Sequence, residues 1–276
     1  MMTVPVAVSD TSILVSANGA VQTVVYEMRM HQRQRAGPRP DSRPPPPVAM
    51  ILPMPGKLAE WVDTSAYPGF FKDMAKAFQP PRRSAARSRE LTKSKLKVEK
   101  VGSYNATWVP ALADFPRVSP LFQLAPNLNL AKYGYDQPGW SFAVFAFDTE
   151  SNGPVHPIAF RFERMHDDVF VPTLHVHDGS SAEELAHYDH DIYVQCPGDC
   201  ADEIGPCAKP DYSVRFERIE LPESLKGTAS NWYDFNQTCV RFRVKGEFPN
   251  ADTWFAHPAF ALRTVQAAAA TATAAA

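Results

Sequence analysis

Residues 156–177 read HPIAFRFERMHDDVFVPTLHVH, and their alternation decides the fold class. Ile158, Phe160 and Phe162 alternate with Ala159, Arg161 and Glu163, and Val169, Val171 and Thr173 resume the period after a polar break. A period of two puts alternate side chains on opposite faces of an extended chain, as in a strand with one face on a core. The break Met165-His166-Asp167-Asp168 predicts a hairpin. Centred on His166-Asp167, it pairs Arg164 with Val169, Phe162 with Val171 and Phe160 with Thr173. The same register continues to Ile158 with His175 and His156 with His177.

Outward from this stretch the chain keeps the same character. Thr11–Ser16 and Val21–Met28 flank Ala17-Asn18-Gly19-Ala20, and Asn-Gly between apolar runs predicts a tight hairpin. Val48–Leu52, Trp140–Phe147, Pro157–Phe162, Val169–Val176, Tyr212–Leu221 and Thr238–Val244 read as further strands. Twenty-six prolines against 13 glycines favour interrupted strands and loops over long helices. The expectation is a mostly β fold: an antiparallel sandwich or distorted barrel carrying one or two short packed helices.

The helical candidates are two. Residues 57–78 have the clearest helical period, with Ser65 as N-cap and Phe70, Phe71, Met74 and Phe78 on one face. Ser180-Ser181-Ala182-Glu183 matches a capping box, and the short helix it predicts carries His187 on the face of Glu183.

Residues 1–265 are expected to form one β-rich domain, followed by an Ala/Thr-rich tail over 266–276. Two segments leave the body of the domain. One, 32–47, carries Arg33, Arg35, Arg39 and Arg43 and ends in four prolines. The other, 80–100, carries Arg82, Arg83, Arg87, Arg89, Lys93, Lys95, Lys97 and Lys100 against only Glu90 and Glu99.

Six of the eight histidines, His156, His166, His175, His177, His187 and His190, fall within 35 residues. The predicted hairpin register sets His156, His175 and His177 at one end of one face. Directly opposed β-carbons lie about 4.5–5.5 Å apart, so three imidazoles there can converge on one divalent ion, zinc or iron. His190 is the expected fourth ligand, and His190 or Asp191 the polarising catalytic group. Asp178, Asp189 and Asp191 are natural partners for the ligands' remaining N–H groups. This reading makes the chain a metal-dependent enzyme that activates water or dioxygen on a small-molecule substrate. The alternative reading is a non-enzymatic β scaffold that binds a protein partner through its two basic segments.

Cys196, Cys200, Cys207 and Cys239 could hold a structural zinc, pair, or stay free; their spacing matches no familiar zinc knuckle, and a reducing compartment disfavours disulfides. A net charge of −2 argues against a protein built mainly to bind nucleic acid. No segment reaches the roughly 18 apolar residues of a membrane span. The first residues lack the pattern of a secretory signal, so a cytoplasmic location is expected. No phosphate-binding loop, dinucleotide fingerprint or serine-hydrolase elbow is present.

Overall fold

The computed structural model describes residues 6–32, 48–78, 100–101, 104–122, 129–147, 153–154, 157–176, 184–196, 205–206, 229–260 and 262. The fold is mostly β. Its strands are β1 (Val6–Asn18), β2 (Val21–Gln32), β3 (Val48–Val62), β4 (Lys100–Val101), β5 (Tyr104–Val109), β6 (Trp140–Phe147) and β7 (Gly153–Pro154). They continue with β8 (Ile158–Arg164), β9 (Val169–Val171), β10 (Leu185–Cys196), β11 (Gly205–Pro206), β12 (Thr238–Pro249) and β13 (Thr253–Ala256). One ten-stranded sheet runs in the order β12-β10-β1-β2-β8-β3-β6-β5-β4, with β7 on β2; a three-stranded sheet runs β11-β13-β9.

The first hairpin forms as its sequence dictates. Asn18 pairs with Val21, and Gly19 takes a φ of 56°, the left-handed conformation a two-residue turn requires. Among the described pairs only β1 with β10 is parallel, which amends the antiparallel expectation. The β1–β2 hairpin uses one edge of β1, and β10 fills the other edge after a long excursion through the chain.

β3 serves two neighbours in succession. Val48–Pro55 pairs with β6, and Gly56–Val62 pairs with β8. At the changeover Gly56 lies so close to β8 that a β-carbon there would meet the Glu163 carbonyl oxygen at 1.9 Å. Only glycine fits. Alternation then divides the apolar residues. Met50, Leu52, Met28, Met30, Phe145, Phe160, Phe162 and Ile192 share the main core, while Ala49 and Ile51 face a second cluster with Phe142, Leu174 and Val176.

The helix is shorter than its sequence period suggests. α1 spans Phe70–Ala77, whereas 57–62 belongs to β3. Pro68 disfavours helical geometry at Tyr67, and the cap position is Gly69 rather than Ser65. The aromatic stripe is as expected. Phe70, Phe71, Met74 and Phe78 are buried against Leu14, Val25 and Tyr193. The helix predicted from Ser180 is not formed over the described part: Leu185–Cys196 is strand, alternating Tyr188, His190, Ile192 and Val194 inward. The strand predicted at Tyr212–Leu221 lies outside the described residues.

Two buried glutamines act as pieces of backbone. Gln22 donates to the Phe170 carbonyl at 2.5 Å and accepts from its N–H at 3.1 Å, tying β9 to β2. Gln195 repeats this with Asp234, at 2.7 and 3.1 Å. A side-chain amide carries the same donor and acceptor as a peptide, so each closes a ladder gap that burial would make costly.

Candidate functional site

The expected histidine triad depends on β8 pairing with the strand that follows it. It does not. β8 is an interior strand, with Phe160 opposite Val24 on β2 and opposite Trp61 on β3. Both of its hydrogen-bonding edges are occupied. β9 therefore pairs with β13 instead, Phe170 opposite Trp254, and the register that opposed Ile158 to His175 is absent. His156 and His177 lie outside the described residues. Among the described residues no group of three or more His, Cys, Asp or Glu side chains is placed to hold a metal ion. The metal-dependent enzyme reading is overturned by this pairing.

The structure does bring two of the expected residues together. His190, buried on β10, and His175 set their Nε2 atoms 3.1 Å apart. His175 stacks on Tyr188 with ring centres at 4.5 Å, and Tyr188 lies edge-on to His190 at 5.1 Å. Two imidazole nitrogens at hydrogen-bond distance hold one proton between them, one ring donating and the other accepting. After β9, side chains rather than a neighbouring strand hold the backbone of Thr173–His175. Asn250 accepts from the His175 N–H and donates to its carbonyl, both at 2.8 Å. Asp252 accepts from the Thr173 and Leu174 N–H groups at 2.9 Å and from the Tyr135 hydroxyl. Burial of the Asp252 carboxyl raises its pKa while these donors oppose the rise. The arrangement anchors a segment.

Asp191 does not join His190. Neighbours on a strand point to opposite faces, and Asp191 turns outward to a two-bond ion pair with Arg243, directly opposite on β12, at 2.9 and 3.2 Å. Asp189 repeats this with Lys245 at 2.6 Å, and the hydrogen bond from that ammonium holds its pKa below the usual carboxylate range. His187 is exposed on the same strand, and exposed His166 lies edge-on to Trp254. Cys196 is disulfide-bonded, whereas Cys239 is free and buried, its thiol pushed up to about 12 by desolvation. A four-thiol zinc site is not formed.

Further along the outward row that begins Arg243-Asp191, Ser12 is opposite both Asp191 and Glu27. Desolvation raises the Glu27 pKa to about 7, against a smaller opposing pull from Arg29. The folded protein thus holds this proton more tightly than the unfolded chain. Stability contributed by the protonated form is lost as pH rises from about 4.5 through about 7. Glu27→Gln is expected to raise the melting temperature at pH 8 and leave it nearly unchanged at pH 4.5. An identical difference at the two pH values would contradict the assignment.

The strands that follow the two basic segments share one row of the large sheet. Val48, where the first segment returns, pairs with Phe147; Phe147 pairs with Tyr104; Tyr104 pairs with Val101. Adjacent strands lie about 4.8 Å apart, so the feet at Val48 and Val101 are roughly 14 Å apart in one row. The Tyr104 hydroxyl fixes this row to the rest of the sheet by donating to the Pro157 carbonyl at 3.0 Å, just before β8. The segments 33–47 and 79–99 carry eleven basic and three acidic residues, and the rest of the chain ten more acidic than basic ones. Charge in this protein is separated by segment. The composition of the segments is plain in the sequence; their common root is not, because it follows from long-range pairing.

Fold and site together define a mostly β scaffold with no assembled metal centre among its described residues. No protein-family description matches the sequence, and no curated protein matches it. Among solved structures the chain is similar to baculovirus P35, at 13% identity and a TM-score of 0.46, over 91% of this chain and 96% of that one. A mutated baculovirus P35 after caspase cleavage gives 13% and 0.44 over 90% and 99%. A structure of the caspase-8/P35 complex gives 12% and 0.37 over 89% and 90%. No helix among the described residues is long and apolar enough to cross a membrane.

Proposed function

We propose that this chain is a non-enzymatic scaffold that presents two basic segments, 33–47 and 79–99, to an acidic protein partner. The observation that supports the proposal is the row Val48–Phe147–Tyr104–Val101, in which the strands following both segments lie side by side. Clustered like charge on an otherwise acidic protein steers an oppositely charged surface toward that end and orients it. Arginine dominates the first segment, with Arg33, Arg35, Arg39 and Arg43, and it suits forked binding to carboxylates. Proline limits the conformations this segment can lose on binding.

Fluorescence anisotropy with labelled poly-glutamate as the acidic probe tests the reading. Binding is expected to weaken steeply between 50 and 300 mM salt and to be indifferent to a chelator. Replacing Arg82, Arg83, Arg87, Arg89, Lys93, Lys95 and Lys97 by glutamine is expected to weaken it by about tenfold or more. Binding that ignores salt and survives that replacement would contradict the proposal.

A further inference from the structure

The end of β6 away from Val48 carries a patch of aromatic side chains. Trp140 begins β6, and its ring meets Trp254 on β13 at 6.4 Å, nearly at right angles. Trp254 in turn meets exposed His166 at 5.3 Å. On its other side Trp140 meets Tyr135 at 4.8 Å, and Tyr133 lies 6.1 Å beyond. Trp140, Trp254 and Tyr133 are half-buried, so part of each ring stays open to solvent. Met165 is 57% exposed and lies over Gly139, where a β-carbon would meet its sulfur at 2.5 Å. A large apolar side chain left this open beside half-buried tryptophans marks an interaction surface. The sequence places Asp136 beside Tyr135, and Asp167 and Asp168 beside His166; the Lys132 ammonium lies over the Tyr133 ring at 5.9 Å. An aromatic surface edged with carboxylates suits proline and arginine together. Proline-rich chain packs on rings as an extended helix, while arginine stacks on rings and pairs with carboxylates.

We infer that this patch receives the segment 37–47 of a second copy of the chain, an inference that rests on the function proposed above and names its partner. Residues 37–47 read GPRPDSRPPPP, with Arg39 and Arg43 set among prolines. Proline fixes φ, so little backbone freedom is lost on docking. Reach excludes the chain's own segment. Val48 and Pro55 pair with Phe147 and Trp140 at the two ends of β6, so the foot at Val48 lies about 23 Å from the patch. β2 runs from Val21, opposite Glu163, to Gln32, so the other foot lies about 36 Å from it. A path from Gln32 to the patch and back to Val48 covers roughly 60 Å, the full stretch of residues 33–47, and leaves none to lie on the rings. A second copy has no such limit. Outside 33–47 and 79–99 the chain has ten more acidic than basic residues, so the body of a neighbouring copy is itself an acidic partner.

Sedimentation velocity on the full chain at 50 and 500 mM salt tests this, with a patch variant (Met165→Glu and Asp136→Lys) and a segment variant (Arg39→Gln and Arg43→Gln). Wild type is expected to self-associate in the micromolar range at the lower salt and to stay monomeric at the higher. Each variant alone is expected to be monomeric. Mixed, they are expected to form a dimer, because one supplies an intact segment and the other an intact patch. Should the patch variant unfold, His166→Glu, at an exposed position, takes its place. Tryptophan fluorescence with the peptide acetyl-Gly-Pro-Arg-Pro-Asp-Ser-Arg-Pro-Pro-Pro-Pro-amide reads the patch directly. Affinity is expected to fall about tenfold or more in the patch variant and to be unchanged in the segment variant. A wild type monomeric at about 100 μM in low salt, association that both variants retain, or a mixture that stays monomeric each overturns the inference. If wild type is monomeric yet binds poly-glutamate with the expected salt dependence, this inference alone fails; if poly-glutamate does not bind, the proposed function fails with it.

Discussion

Replacing Arg164 by methionine is expected to destabilise the protein by about 3 kcal/mol, because it strands carbonyl groups in three parts of the chain. Arg164 ends β8 and is 7% exposed. Its guanidinium donates to the carbonyls of Gly19 at 2.8 Å, Asp167 at 3.1 Å and Phe260 at 2.6 Å. Its own N–H donates to Ala20 at 2.7 Å. One side chain thereby ties the first hairpin turn, the turn after β8 and the C-terminal turn Pro258–Phe260. Desolvation lowers its pKa, partly offset by Asp167 and Asp168, and guanidinium remains charged even so. Methionine keeps the apolar stem and removes all three donors, so the loss isolates the hydrogen bonds. For a chain of this size the shift in melting temperature is roughly 6–12 °C. Lysine recovers little, since one ammonium cannot reproduce the reach of a guanidinium whose two terminal nitrogens bond three carbonyls. Urea unfolding of wild type, R164M and R164K measures the effect; a change below about 1 kcal/mol in R164M would remove Arg164 from this role.

Arg164 also marks where sequence reading stops. In the sequence it is one charged residue at the end of an alternating run, and nothing local says that it is buried. The strands themselves are legible, because β1, β2, β6, β8 and β12 each carry an apolar run or a period-two pattern. So is the aromatic face of α1. Partnership between strands is not. Phe160 and Phe162 read equally well as half of a hairpin or as an interior strand, since either places them in a core. The choice depends on β2 and β3, more than ninety residues upstream, supplying both neighbours of β8. Once they do, β9 has to find β13, and the histidine register is lost. The short polar break that suggests a hairpin is satisfied instead by Arg164 and Asp167. Asp167 accepts from Leu262 N–H at 2.9 Å.

The same logic separates the site residues. His190 and His175 meet because β10 and the segment after β9 both run beside Asn250 and Asp252, a meeting between strands that no local pattern announces. Asp191 could be placed from sequence only once its neighbourhood was known to be strand. A helix beginning at Ser180 would have set different residues on the face of His190, whereas β alternation sends Asp191 outward to Arg243. Gln22 and Gln195 carry no sequence signal beyond being polar residues inside apolar runs.

The second large effect is on binding, and it concerns the two segments as a unit. The strands that follow them share one row, and on the proposed function they address a single partner together, so engagement of one raises the effective concentration of the other. Neutralising Arg33, Arg35, Arg39 and Arg43 with glutamine is expected to weaken poly-glutamate binding about tenfold, as is neutralising the seven basic residues of 82–97. With both neutralised, the loss is expected to reach at least about a hundredfold and the salt dependence to vanish. The melting temperature is expected to stay unchanged in all three variants. Anisotropy titrations of these three variants beside wild type at 50 mM salt test the central claim most directly. Losses of this order for each segment, and abolition for both, are the predicted result; binding that depends on one segment alone, or on neither, would contradict the account.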